Sequence, residues 1–366
     1  MKRTLIGLMA LFLALCTGVS AFAEPTVIMP DMGLKLSEEV IAGIVPANPE
    51  QEGICPLTGL PMEQEPYTPI ALVLDDSPEV FPHWGVSDAD WIAQVPLRRD
   101  GATRLVAVYG SKYPDQAGGV RSARMTTFSV ATLFTAVLAC GSWPPNWHDS
   151  VNVESWIDKW DYNKPIRYFN LLGRNAPKER VDFLKEPWNL SAHVAEMHQS
   201  LAERTVKKKK TLKFEKRFFL FSDEPASGDD AASVRMRFFG SEETETEDTN
   251  SACTFTWTEG EGYRRDSKTG PYSDRYTGEV LQFANVIVMR TPLEWEEINY
   301  PFYHEQLKGC GQVDVFQNGK HITGAWYRKN RLSRLVLLDE AGQEIPLQRG
   351  RTFLVLGDQY TVVSYE

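Results

Sequence analysis

Cysteine and histidine are scarce, with five and six in 366 residues. No two cysteines form a CxxC pair and the histidines do not cluster, so nothing supports a zinc site. No GxSxG, HExxH or Cys-His arrangement stands in its proper context either, which removes the commonest hydrolase signatures. Cofactor motifs are equally absent. Positive charge is in deficit: 39 Lys and Arg face 49 Asp and Glu, for a net charge of −10. Such a surface repels nucleic acid and anionic lipid, and neither is expected as a partner. After the N-terminus no apolar run approaches the length of a membrane span.

The N-terminus itself has a recognisable grammar. Lys2 and Arg3 precede the apolar run Leu5 to Leu15, and Ala21-Phe22-Ala23 offers a small-x-small cleavage site. This order predicts a secretory signal peptide over 1–23 and an extracytoplasmic protein. Leu15 before Cys16 is too large for lipoprotein processing, so the reading favours cleavage after Ala23 over lipid anchoring. Loss of Lys2 and Arg3 leaves 37 basic against 49 acidic residues, or −12. Cys55, Cys140, Cys253 and Cys310 remain. In an exported chain an even number permits two disulfides, with three pairings open; the alternative is buried free thiols.

About 340 mature residues suggest two domains. Residues 24–53 are rich in Pro and Glu and read as an exposed leader. The segments "PIALVLDD" (69–76) and "TRLVAVYG" (103–110) read as buried strands, and "ADWIAQVPL" (89–97) as a strand or short helix. "RSARMTTFSVATLFTAVLACG" (121–141) is expected as a helix, and a second helix is expected over about 190–206, opened by Ser191. The lysine run within 207–217 reads as a helix end and linker, and "EETETED" (242–248) as a solvated loop. From 211 onward nearly every segment reads as a strand. Asn-Gly in "QNGK" (317–320) is the strongest hairpin signal. The expected fold class is α+β, with a mixed N-terminal domain (54–206), a basic linker (207–217) and an antiparallel β-rich C-terminal domain (218–366).

Several motifs in fixed order resemble one family. "CPLTGLP" (55–61), "PIALVLDDSPEVFPHWGVSDAD" (69–90), "GATRLVAVYGS" (101–111) and "GGVRSAR" (118–124) follow one another as in the YerB-like family. So do "YRRDSKTGPYSDRYTGEVLQFANVIV" (263–288) and "GCGQVDVFQNGKHITGAWYR" (309–328). The resemblance implies an exported, often lipid-anchored bacterial protein of unassigned function with a mixed N-terminal and a β-rich C-terminal domain. The chain departs from the family's pattern at three places. Asp75-Asp76 stands for Asp-Asn, Gly118-Gly119 for Gly-Pro, and Gln94 for an acidic residue.

Arg121 and Arg124 bracket Ser122 just after Gly118-Gly119, an unusual concentration of positive charge in an acidic chain. If a helix starts there, its unsatisfied N–H groups and dipole add to the arginines, forming a pocket for a carboxylate, phosphate or sulfate. Arg104, Arg121, Ser122, Arg124 and Ser142 are then ligand-binding candidates. The competing reading is internal: Asp75 and Asp76 end one strand, Arg104 begins another, and the arginines neutralise that acidic end. A catalytic version casts Asp75 or Asp76 as acid or base and gives His83 a proton-handling role. Adjacent carboxylates on a strand, however, point to opposite faces. Two carboxylates are too few to argue a metal. Trp143, Trp147, Trp156 and Trp160 suit either sugar stacking or core packing. Tyr263, Arg265, Tyr272, Asp274 and Asn285 form either a second binding face or the closure of a sheet edge. The partners these readings allow are a cell-wall component or an envelope protein, and the overall expectation is an envelope binding protein or, alternatively, a wall-modifying enzyme.

Overall fold

A computed structural model of the chain describes residues 24–97, 101–143, 152–159, 168–207, 214–238, 252–296, 300–303 and 307–366. The signal segment with Cys16, the lysine run 208–213, the acidic block 242–248, Trp147 and Trp160 lie outside them.

The principal elements are β1 (Ile70–Asp75), β2 (Trp91–Pro96), β3 (Thr103–Tyr109), α1 (Met125–Leu133), β4 (Val137–Cys140), β5 (Tyr168–Asn170) and α2 (Val194–Lys207). The second half supplies β6 (Ser233–Arg237), β7 (Ala252–Thr258), β8 (Gly262–Ser267), β9 (Asn285–Arg290) and β10 (Gly309–Gln317). It continues with β11 (Lys320–Arg328), β12 (Val336–Asp339), β13 (Thr352–Gly357) and β14 (Val362–Tyr365).

One large sheet runs through both halves of the sequence, in the order β11-β10-β9-β13-β2-β3-β1-β4-β5, with β12 beside β11. β13, from near the C-terminus, lies between β9 and β2 and is parallel to both. β1 pairs antiparallel with β3 and parallel with β4. Central strands such as β1, β2 and β3 are buried along their whole length. That is why they appear in the sequence as continuous apolar runs.

Alternate residues feed two cores. Ile70, Leu72 and Leu74 point to one face, where Val234, Met236 and Phe255 of a second, antiparallel sheet and Val194, Met197 and Leu201 of α2 cover them. Ala71 and Val73 point to the other, against Met125 and Phe128 of α1 and against Cys55 and Leu57. The second sheet is built on β14, β6, β7 and β8, and its outer strand is Thr26–Ile28 from the leader. The leader is thus mostly exposed but hydrogen-bonded into the fold.

Several expectations need correction. The stretch 121–141 is not one helix: 121–124 is extended, α1 spans nine residues, and Thr135 at φ 51° turns the chain into β4. Leu133 and Phe134 end the helix in the core, and "AVLAC" is apolar enough to be taken up as a strand beside β1. Ser191 does not open a helix; it lies in the short strand Leu190–Ala192, and α2 begins only at Val194. No disulfide forms among the described residues. Cys55, Cys140 and Cys253 are buried, with Cys55 and Cys140 in one core and Cys253 in the other, and Cys310 is half-buried near the leader. Burial pushes the Cys55 and Cys140 thiols up to about 12, so they stay protonated. The Asn-Gly hairpin joins β10 to β11 as expected, with Asn318 and Gly319 both at positive φ.

Candidate functional site

The site candidates gather where β1 ends and β3 begins. Asp75, the last residue of β1, pairs across the antiparallel ladder with Arg104. Arg104 Nη1 donates to Asp75 Oδ1 at 2.8 Å, and Arg121 Nε donates to Oδ2. The backbone N–H of Ser77 adds a third bond to the same carboxylate at 3.1 Å. Burial alone would raise the pKa of Asp75, but the two guanidiniums outweigh it and hold the carboxyl below its ordinary range. Arg104 is nearly buried, and desolvation lowers it to about 10, outweighing Asp75. Its Nε has no hydrogen-bond partner among the described residues. Arg121 is more open. It commits Nε to Asp75, while its two terminal NH2 groups bond to no described residue.

Asp76 faces the other way, as adjacent strand positions require. Its Oδ2 accepts from Gln94 Nε2 at 2.9 Å and from the Thr103 hydroxyl. Gln94 Oε1 in turn accepts from Arg265 of β8 at 3.4 Å. Burial, partly offset by Arg265, pushes Asp76 up to about 6. Asp76 and Gln94, two positions singled out by the resemblance, are therefore joined by one hydrogen bond.

His83 is fully buried. Its Nε2 donates to the Asp75 carbonyl at 2.7 Å, Nδ1 has no hydrogen-bond partner among the described residues, and desolvation lowers the ring's pKa to about 4, so the ring is neutral. The ring packs on Phe81 and Tyr272.

The segment carrying Arg121 is extended and lies across the ends of β1 and β4. Arg121 N–H donates to Val73 O at 3.0 Å, and Gly141 N–H to Arg121 O at 2.8 Å. On the opposite edge Val120 N–H donates to Leu190 O at 2.8 Å. The helix-start expectation changes accordingly. Met125 is the first helical residue, Arg124 holds the cap position, and its N–H is satisfied by the Thr127 hydroxyl at 2.9 Å, not by Ser122. Arg124 donates to Ala123 O at 2.9 Å and is close enough to depress the pKa of Arg104. Ser122 is half-buried, and Ser142 turns its hydroxyl to Trp143 O at 3.1 Å. Gly118 and Gly119 do permit close approach, but of the protein's own tryptophan segments. A Cβ on Gly118 would lie 2.3 Å from the Trp84 ring, and one on Gly119 2.6 Å from Trp188 O.

The residues read as a second face or a sheet-edge closure make bonds within the fold. Tyr263 donates its hydroxyl to Ala231 O, Asn285 bonds Gln348 O and Thr352 Oγ1, and Asp274 accepts from the N–H groups of Ser87 and Tyr276. Arg265 and Tyr272 are buried together beneath Asp76 and His83. Trp143 and Trp156 are half-buried against the α1-side core. Sequence reasoning passed over Trp188. Its indole N–H donates to Ser77 Oγ at 3.0 Å, beside Asp75; the sole hint was a tryptophan in a turn-rich stretch, "KEPWN". Among the described residues no group of His, Cys, Asp and Glu could hold a metal ion, and no helix is long and apolar enough to cross a membrane.

Comparison with known proteins agrees with the architecture. Residues 57–207 match the N-terminal domain, and residues 244–354 the C-terminal domain, of a protein family of unknown function, DUF3048. The chain is 24% identical over 310 residues to YerB of Bacillus subtilis (strain 168), a lipoprotein candidate by name, covering 82% of this chain and 84% of the relative. The crystal structure of the YerB protein from Bacillus subtilis superposes with a TM-score of 0.67 at 24% identity, covering 85% of this chain and 99% of that one. Two family domains in order, a relative aligned along most of both chains and a shared fold agree with the motifs of the sequence: the chain belongs to the YerB-like family.

Proposed function

We propose that this protein is an exported cell-envelope protein that binds a ligand through an anionic group, held by Arg121 with Arg104 behind it. One observation carries the reading: Arg121 is positioned by Asp75 through Nε, and its two terminal NH2 groups bond to no described residue. A guanidinium fork oriented this way suits a carboxylate or phosphate. Arg104 adds a second positive charge against the single ionised carboxylate of Asp75. Export draws support from the signal-like N-terminus and from the lipoprotein designation of the relative. Residues 54–206 and 218–366 serve as working domains, joined at 207–217. The enzymatic alternative, with Asp75 and Asp76 as acid and base, draws less support. Asp75 is held ionised between two arginines, and Asp76 is buried on the opposite side.

The test is a thermal-shift screen of the 24–366 protein against phosphate, sulfate, acetate and wall fragments. An anion at about 100 times its Kd adds about 2.7 kcal/mol, which in a chain of this size moves Tm by a few degrees. Arg121→Ala is expected to fold and to lose that shift. An equal shift in the variant would place the anion elsewhere.

A further inference from the structure

The segment that presents Arg121 has a half-buried tryptophan nearby on each side. The strand bonded to Arg121 O continues through Ser142 into Trp143, and the strand bonded to Val120 begins just after Trp188. Trp143 is engaged edge-on with Tyr168 at 5.3 Å. Trp188 is tied to the charge cluster itself. Its indole N–H donates to Ser77 Oγ, the Ser77 N–H donates to Asp75 Oδ1, and Asp75 Oδ2 holds Arg121. Trp188 also packs against the small core of Val80, Trp84 and Val181. The ring is therefore fixed at one edge and still partly open to solvent, one side chain away from the carboxylate that orients the guanidinium. An aromatic ring linked by this bonded chain to the carboxylate that directs the cation matches a ligand with an apolar ring face and an attached negative charge.

We propose that the ligand of this site is an anionic sugar, a ring bearing a phosphate or carboxylate, with the anion on Arg121 and the ring against Trp188. This rests on the anion-binding reading above and names the class of molecule that carries the anion. Sugar phosphates and sugar acids share this chemistry, and paired probes separate them from simple anions.

Isothermal titration of the 24–366 protein compares N-acetylglucosamine 1-phosphate with glycerol 1-phosphate and inorganic phosphate, and glucuronate with acetate. The ring-bearing member of at least one series is expected to bind about tenfold more tightly than its ringless counterparts. Trp188→Ala is expected to remove that preference, and Trp188→Phe to restore most of it. Equal affinities with and without a ring, or a preference that survives Trp188→Ala, overturn the proposal and leave the anion site standing. If no probe binds in a manner that depends on Arg121, the anion-binding reading fails and this one with it. Circular dichroism of both Trp188 variants confirms that the comparison is made on folded protein.

Discussion

Asp76 is the residue whose charge state the fold decides. Burial raises its pKa from 3.8 to about 6, so the native state binds the proton more tightly than the unfolded chain. Its stabilising contribution is fully present below about pH 4 and is lost as pH rises through about 6. Asp90, buried and held by Ser111 and the Gly110 N–H, is raised to about 6 and follows the same sign. His83, lowered to about 4, runs oppositely and loses its contribution as pH falls from about 6.5 through 4. Because these curves overlap, the informative quantity is a difference. The Tm of the parent minus that of Asp76→Asn should be most favourable to the parent near pH 4 and should shift toward the variant by pH 7. A difference independent of pH would show that Asp76 is not the proton-binding group. At this scale the sequence displayed the participants but not their pairing. Asp75, Arg104 and Arg121 were visible as neighbours in a charge argument, yet the ladder register that sets Asp75 opposite Arg104 has no local signature. Trp188 became part of the candidate site only through contact with Ser77, 111 residues away.

Helix α1 shows what an element needs from its neighbours. It is buried along its whole length and has no basic residue in its last turn. Arg328 of β11 supplies one: Nη2 donates to Thr132 O at 2.7 Å and Nη1 to Thr132 Oγ1 at 3.3 Å. The cation thus meets the carbonyl end of the helix dipole from another part of the chain. Arg328 is fully buried and also bonds the carbonyls of Arg331 and Ser333. Arg328→Met should cost on the order of 3 kcal/mol in urea unfolding, since it removes the charged hydrogen bonds to Thr132, Arg331 and Ser333, and Arg328→Lys should recover part of it. A loss under about 0.5 kcal/mol would mean that the helix end does not depend on it. Elements buried on both faces were the most legible, because doubly covered strands must be apolar throughout. The failures came where that same composition fits a helix. "TAVLAC" carries no glycine or proline at its start, and the turn at Thr135 is made by an ordinary residue at positive φ. The three-residue strand before α2 is too short to show a period.

At the scale of the molecule, the insertion of β13 between β9 and β2 ties the two halves of the chain together. Neither half carries a complete large sheet. Calorimetry of the 24–366 protein is therefore expected to show a single transition with equal calorimetric and van't Hoff enthalpies, and residues 54–206 expressed alone are expected not to fold. Two resolved transitions, or a folded fragment, would show that the shared sheet does not enforce cooperativity. Sequence reading placed strands in both halves, but their order across the shared sheet has no local signature, because it is a property of contacts hundreds of residues apart.

The pairing of Thr26 with Tyr365 brings the two ends of the described chain onto neighbouring strands. The chain enters and leaves its fold through one doorway, so a short linker from Glu366 to Glu24 would close the polypeptide into a ring without crossing the body of the protein.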